Sequence, residues 1–265
     1  MALFAKAAAH TIPSSEVSFV RAAFGLVACG LVALRRPFVA HNKLGLFWRG
    51  LTGALAVSCY FLGIEHLPVG IATMLNYTSP VFTALWSGLF FAQRLGSLTV
   101  FALILTTSGI GFVLHGQAPP GSLGLGIYEL AGLCGAMLSG VSMALIAEVR
   151  RTDGSWEIFA AFSLGCFLVS APLALAHPVM PSFRTALFLI GMGSCSVAAQ
   201  LLMTYTMRFV PATLAGVVSQ LTPVTSLVVG WVLFEERFGT MTAFGIALTL
   251  CGAILGAYLA SRPRA

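Results

Sequence analysis

The sequence predicts an all-α polytopic membrane protein: two inverted five-helix repeats, with nine full transmembrane helices and a truncated first helix. Three observations carry this prediction. The 265-residue chain is 58% hydrophobic and 8% charged, with a mean hydropathy of +0.95. A soluble domain carries about 25% charged residues. A block of sequence recurs 143 residues downstream, and the basic residues crowd onto one set of alternate loops.

The repeat is ungapped. Pro68, Ala72, Pro80, Val81, Phe91, Arg94, Gly96, Thr99, Phe101, Leu105, Thr106 and Gly109 reappear as Pro211, Ala215, Pro223, Val224, Phe234, Arg237, Gly239, Thr242, Phe244, Leu248, Thr249 and Gly252. A duplicated all-membrane unit is a signature of many secondary transporters. The first repeat is expected over residues 1–116 and the second over 124–261, together forming one membrane domain.

Apolar segments are expected to span at 17–35, 47–66, 69–92, 95–116, 124–148, 155–177, 183–206, 210–234 and 239–260. Each can cross about 30 Å of hydrocarbon as a helix. Pro68 and Pro211 fall at helix starts, where a missing N–H is harmless. Gly191-Met192-Gly193-Ser194 lies within a span and reads as a helix-packing contact. Gly252 and Gly256 read likewise, either within the chain or between two protomers of a homodimer. The stretch before the first full span is a stump, residues 1–10. Met143-Ala144-Leu145 aligns with Met1-Ala2-Leu3, so the first repeat is expected to lack about 19 residues of helix, about 29 Å at 1.5 Å each. A secretory signal peptide is not expected, because the apolar run before Ala7-Ala8-Ala9 is only about four residues and such a segment needs at least about seven.

Charge sets the orientation. Arg35, Arg36, Lys43, Arg49, Arg94, Arg150, Arg151, Arg208, Arg262 and Arg264 fall on one side, whereas Arg184 and Arg237 fall on the other. Basic residues mark the cytoplasmic side. The C-terminus is therefore expected in the cytoplasm of a bacterial inner membrane. The 92–98 and 235–239 loops are repeat equivalents on opposite faces, so the repeat is inverted. The net charge of +6 follows from this asymmetry and is no nucleic-acid footprint.

The polar residues inside the spans are few. Pro80 and Pro223 are expected inside their helices, freeing the carbonyls of Asn76 and Ser219, because proline offers no N–H. Broken helices at matching depth in two halves point to a substrate site. The candidates there are Asn76, Tyr77, Ser79, Ser219, Gln220 and Thr222. The competing reading is that the hydroxyls bond back to their own helices and the prolines only kink them. Gln200 and Tyr60 are further candidates. Lys6 and Arg21 are ionisable groups in spans, which makes them functional candidates. Arg21 is expected about one turn inside its helix, within snorkelling reach of the headgroups. Glu65, Glu129, Glu148 and Glu157 lie near helix ends, so no midplane proton carrier is evident. Exchange or gradient-driven efflux follows.

Enzyme chemistry finds no support. The P-loop pattern, H-E-x-x-H and G-x-S-x-G are absent, so no cofactor, metal or catalytic centre is expected. The cysteines Cys29, Cys59, Cys134, Cys166, Cys195 and Cys251 form no C-x-x-C pair and read as packing residues.

The motif from Pro80 to Arg94, closing on Phe90-Phe91-Ala92-Gln93-Arg94-Leu95-Gly96, and its partner Pro223 to Arg237, closing on Phe234-Glu235-Glu236-Arg237, resemble the EamA-like branch of the drug/metabolite transporter superfamily. Phe4-Ala5-Lys6 and Ser18-Phe19-Val20-Arg21 resemble that family's first two helices. Gln93 stands where the family usually has glutamate. The resemblance covers nearly the whole chain. It implies two inverted five-helix repeats, ten spans and both termini inside. Its functional implication is an exporter of small polar or amphipathic metabolites, such as amino acids, by alternating access. The alternative is a non-transporting membrane scaffold or lipid-handling subunit with an incomplete bundle. The expected partners are a small-molecule metabolite and membrane lipid, not nucleic acid.

Overall fold

The computed structural model describes residues 12–76, 78–91, 96–117, 126–176, 179–206, 208–209 and 239–260, together with residues 4, 8, 225 and 232. Among them the regular structure is helical, with no strand. In chain order the helices are α1 (Ser14–Ala33), α2 (Lys43–His66), α3 (Val69–Asn76), α4 (Ser79–Phe91), α5 (Ser97–Gln117), α6 (Ile127–Val149), α7 (Ser155–Ala176), α8 (Phe183–Thr206) and α9 (Thr240–Ala260). Helices α1, α2, α6, α7 and α8 are long and apolar enough to cross a membrane, and α5 and α9 carry shorter apolar stretches. The span expected at 210–234 lies outside the described residues.

Two helix starts fall earlier than the hydropathy suggests. Asn42 caps α2, its Oδ1 accepting from Gly45 N at 2.9 Å, which satisfies an amide left free in the first turn. Helix α2 therefore begins at Lys43 rather than 47. Pro13 occupies the N-cap of α1 in extended geometry, so α1 begins at Ser14 rather than 17. Both shifts carry basic residues deeper into the bundle.

The segment expected as one span over 69–92 is divided. Helix α3 ends at Asn76 and α4 begins at Ser79. Pro80 thus sits in the first turn of α4, not inside a continuous helix. There its missing N–H breaks no intrahelical bond. The Thr78 hydroxyl donates to Leu75 O at 2.7 Å, and Thr78 N donates to the same carbonyl at 3.1 Å. This covers one carbonyl at the end of α3.

Three clusters fill the interior. Tyr60, Phe61 and Ile64 of α2 pack with Ile71 and Leu75 of α3 and Met192 of α8. Ala22 and Cys29 of α1 meet Ala54 of α2 and Phe159, Phe162 and Cys166 of α7. Leu46, Ile146, Val149 and Ile158 close the end where α2, α6 and α7 converge. Large apolar side chains such as Leu31, Leu89, Phe90, Leu168, Leu173, Leu187 and Leu202 point outwards. Apolar exposure on this scale matches hydrocarbon, not water.

Lipid is as apolar as leucine, so helices in a bilayer associate through close packing of small residues. A Cβ on Gly50 of α2 would lie 2.6 Å from Ala161 O of α7, and a Cβ on Gly165 would lie 2.6 Å from Gly50 C. Helices α5 and α9 meet in the same way, and reciprocally. A Cβ on Gly109 would lie 2.6 Å from Thr249 N, and one on Gly252 would lie 2.8 Å from Thr106 N. Gly109 and Gly252 are repeat equivalents, as are Thr106 and Thr249. Contacts also pair Gly116 with Thr242 and Val113 with Gly245, so the two helices run antiparallel.

Gly252→Leu is expected to cost about 1–3 kcal/mol by overpacking this crossing, whereas Gly111→Ala, with nothing within 4 Å of its Cβ, is expected to be near neutral. Thermal unfolding in detergent checks this; equal effects of the two substitutions would contradict the described crossing.

Candidate functional site

Helices α1, α2, α6 and α7 converge on two buried arginines. Arg21 is the eighth residue of the 20-residue α1, which places it within one turn of the helix middle. It is 5% exposed, and Arg49 of α2 is 4% exposed. Neither snorkels. The early start of α1 puts Arg21 two turns inside rather than one. The early start of α2 removes Arg49 from the loop where its charge was expected.

The two cations share one ring. The Arg49 guanidinium lies 4.2 Å from the Phe162 centroid and the Arg21 guanidinium 5.0 Å from it; such contacts stabilise a desolvated cation by about 2 kcal/mol. Arg49 Nη1 donates to Ser142 Oγ of α6 at 2.7 Å. Arg21 Nη1 approaches Cys166 Sγ of α7 at 4.0 Å, a weak contact. Both Nε atoms are buried without a hydrogen-bond partner among the described residues. Gly53, one turn after Arg49, leaves the space its guanidinium occupies: a Cβ there would collide with Arg49 Nη1 and lie 2.8 Å from Phe162.

A second polar feature lies towards the opposite end of α2. The Tyr60 hydroxyl and the Thr73 hydroxyl are 3.3 Å apart, tying α2 to α3 one turn before its break. Asn76 ends α3 and is half-buried, and Ser79 opens α4 and is half-buried. The Ser79 carbonyl accepts from Thr83 Oγ1 at 2.9 Å. The hydroxyls of Thr78 and Thr83 therefore follow the back-bonding alternative.

At the face carrying the basic loops, Arg36 pairs with Glu157 at 3.2 Å and Arg151 with Glu148 at 3.0 Å. Asp153 joins two loops. Its carboxylate accepts from His41 N at 2.8 Å, Asn42 N at 3.0 Å and Thr152 Oγ1 at 2.6 Å. A cavity of about 390 Å³ opens beside it, lined by Arg36, Arg150, Trp156, Leu201, Leu202 and Tyr205. At the other face, Glu65 accepts from Ser14 N at 3.0 Å and His66 stacks on Tyr128 at 3.9 Å.

Of the candidates read from sequence, Arg21 and Tyr60 are buried, while Asn76, Ser79 and Gln200 are half-buried. Lys6, Tyr77, Ser219, Gln220 and Thr222 lie outside the described residues. Sequence reasoning passed over Arg49, Ser142 and Phe162, and took Cys166 for a packing residue. The usable signal was Asn42, a helix cap that moves Arg49 seven residues into α2. The glycines at 50 and 53 on either side of the next turn were a second clue. Among the described residues no group of three or more His, Cys, Asp or Glu could hold a metal ion.

Comparison with known proteins places this architecture. The EamA-like transporter family model matches residues 1–115 and 126–258. The chain belongs to that family and is a membrane transporter rather than an enzyme. It is 28% identical to the pseudopaline exporter CntI of Pseudomonas aeruginosa over 94% of this chain and 88% of that protein. It is 27% identical to human solute carrier family 35 member E4 over 83% of this chain and 65% of that protein. A solved crystal structure superposes with a TM-score of 0.76 at 22% identity, covering 97% of this chain and 91% of the other, a likeness of fold.

Asp153 provides a pH test. Burial alone would raise its carboxyl pKa, but the bonds from Thr152, His41 and Asn42 outweigh it and hold it below the usual range. A depressed carboxyl stabilises the fold above its unfolded value, about 3.9, and that contribution is lost as pH falls through the folded value. Wild-type melts are expected to lose stability below about pH 4, whereas Asp153→Asn is expected to be less stable at pH 7, by about 1–3 kcal/mol, and flatter with acid. Thermal melts from pH 7 to pH 3 check both.

Proposed function

We propose that the chain is a secondary exporter of small polar or amphipathic metabolites, amino acids and related compounds among them. It works by alternating access between two inverted repeats, residues 1–116 and 124–261, in a bacterial inner membrane with its C-terminus in the cytoplasm. The observation that carries this reading is the interrupted helix over Val69–Phe91, with α3 ending at Asn76 and α4 starting at Ser79. Non-helical backbone at membrane depth is tolerated where it is buried in protein or lines a water-filled path. The repeat places Ser219, Gln220 and Pro223 at the equivalent positions of the second half. Substrate then sits between the two breaks, against Asn76, Tyr77, Ser219 and Gln220.

The inversion is supported by the antiparallel α5 and α9, in which equivalent residues of the two repeats meet reciprocally. An antiparallel pair of this kind has its twofold axis perpendicular to the helices. Export is favoured by the likeness to an exporter in Pseudomonas aeruginosa. Glu16, Glu65, Glu148, Asp153 and Glu157 sit in loops or within about two turns of helix ends. This favours exchange, or efflux down the substrate's own gradient, over proton coupling through a midplane carboxylate.

Counterflow in proteoliposomes over a panel of amino acids and related metabolites is expected to find a transported solute. Asn76→Ala and Gln220→Ala are each expected to cut its rate about tenfold or more, the loss of one or two buried hydrogen bonds. Full transport by both variants would contradict the placement of substrate between the breaks.

A further inference from the structure

We infer that Arg21 and Arg49 form an anion subsite on the transport path, so that the substrate carries a carboxylate or phosphate group seated between the two guanidiniums. The inference rests on the transporter reading and adds the charge of what is carried.

Both arginines are at least nine-tenths buried, and arginine does not deprotonate in proteins. Among the described residues the ion pairs are Arg36 with Glu157, His41 with Asp153 and Arg151 with Glu148. None involves Arg21 or Arg49. Their distances to one ring, 5.0 and 4.2 Å, limit their separation to the sum of the two, so two like charges sit close together. Burying each ion costs several kcal/mol, and a buried cation lacking a counter-charge is strongly destabilising. One hydroxyl, one thiol and a ring face offset only part of this.

A guanidinium has five N–H donors. Arg49 uses one on Ser142 and Arg21 directs one at Cys166. Both Nε atoms are left without a partner among the described residues. Paired, planar donor forks suit the two oxygens of a carboxylate or phosphate. Arg21 lies near the middle of α1, and Arg49 lies about 9 Å from the start of α2 at 1.5 Å per residue. The pair thus reaches from the membrane interior towards the end where the basic loops lie. A structural arginine would be held by a carboxylate or by several carbonyls; among the described residues neither accompanies these two.

The test uses the full chain in lipid nanodiscs, with succinate as the carboxylate probe and glycerol 3-phosphate as the phosphate probe. Sodium chloride at matched ionic strength and choline are controls. Succinate, glycerol 3-phosphate or both are expected to raise the unfolding temperature saturably. Arg21→Gln and Arg49→Gln are each expected to weaken that response about tenfold or more. Without probe, both variants are expected to be as stable as wild type or more so, because an uncompensated charge has been removed. Arg49→Lys is expected to keep part of the response. Equal stabilisation by chloride and the organic anions would overturn the subsite. So would glutamine variants that are destabilised without probe yet respond normally. Counterflow on the same preparations separates the two readings. Transport confined to neutral or cationic solutes sinks the subsite and leaves the transporter standing. Arginine-dependent anion binding without transport of any solute does the reverse.

Discussion

Hydrocarbon supplies no hydrogen-bond partners, and that constraint shapes where the polar groups of these spans turn. Threonine and serine hydroxyls turn back on their own helices: Thr52 on Trp48 O, Thr106 on Ala102 O, Ser170 on Cys166 O and Thr249 on Gly245 O. The break between α3 and α4 is tolerated because Thr78 covers Leu75 O and the Tyr60–Thr73 contact locks α3 to α2. Against that background Arg21 and Arg49 stand out. Each is a buried cation that directs one N–H at a neutral partner and leaves its Nε without one among the described residues.

The same close packing that holds the bundle builds the site. Gly50 and Gly165 bring the backbones of α2 and α7 together. That approach sets Phe162 of α7 against Arg49, and the missing side chain of Gly53 leaves room for the guanidinium. Gly25 lets α1 approach α7, where a Cβ would lie 3.2 Å from Phe159 Cζ. A substitution at Gly50, Gly53 or Gly165 therefore acts on Arg49 through packing. Fold and site are one construction, and small residues control both.

Much of the fold was legible because hydropathy and the 143-residue repeat are long-range signals. Segments of 20 or more apolar residues admit few alternatives in a membrane. The pairing of Gly109 with Thr249 and of Gly252 with Thr106 connects positions that the repeat had already matched. Helix ends were less legible. Hydropathy averages over a window, whereas a single cap such as Asn42 sets where the backbone starts to turn. That small error hid the arginine pair, because Arg49 looked like a loop cation and Arg21 like a snorkelling one. Ser142, Phe162 and Cys166 could not be recognised as their neighbours, since only the crossings of α1, α2, α6 and α7 bring them there.

The antiparallel crossing of α5 and α9, packed through small residues, suits the proposed alternating access: if the two repeats are inverted halves, they rock about a fixed site with little change inside either half. Cys166 lies beside Arg21 and reports on that site directly. The most direct measurement keeps Cys166 as the sole cysteine, replacing Cys29, Cys59, Cys134, Cys195 and Cys251 with alanine. A membrane-impermeant thiol reagent is then applied to oriented vesicles from each face in turn. Alternating access past the arginines predicts labelling from both faces, slowed by the transported solute. Labelling from one face only, or from neither while transport persists, would contradict it.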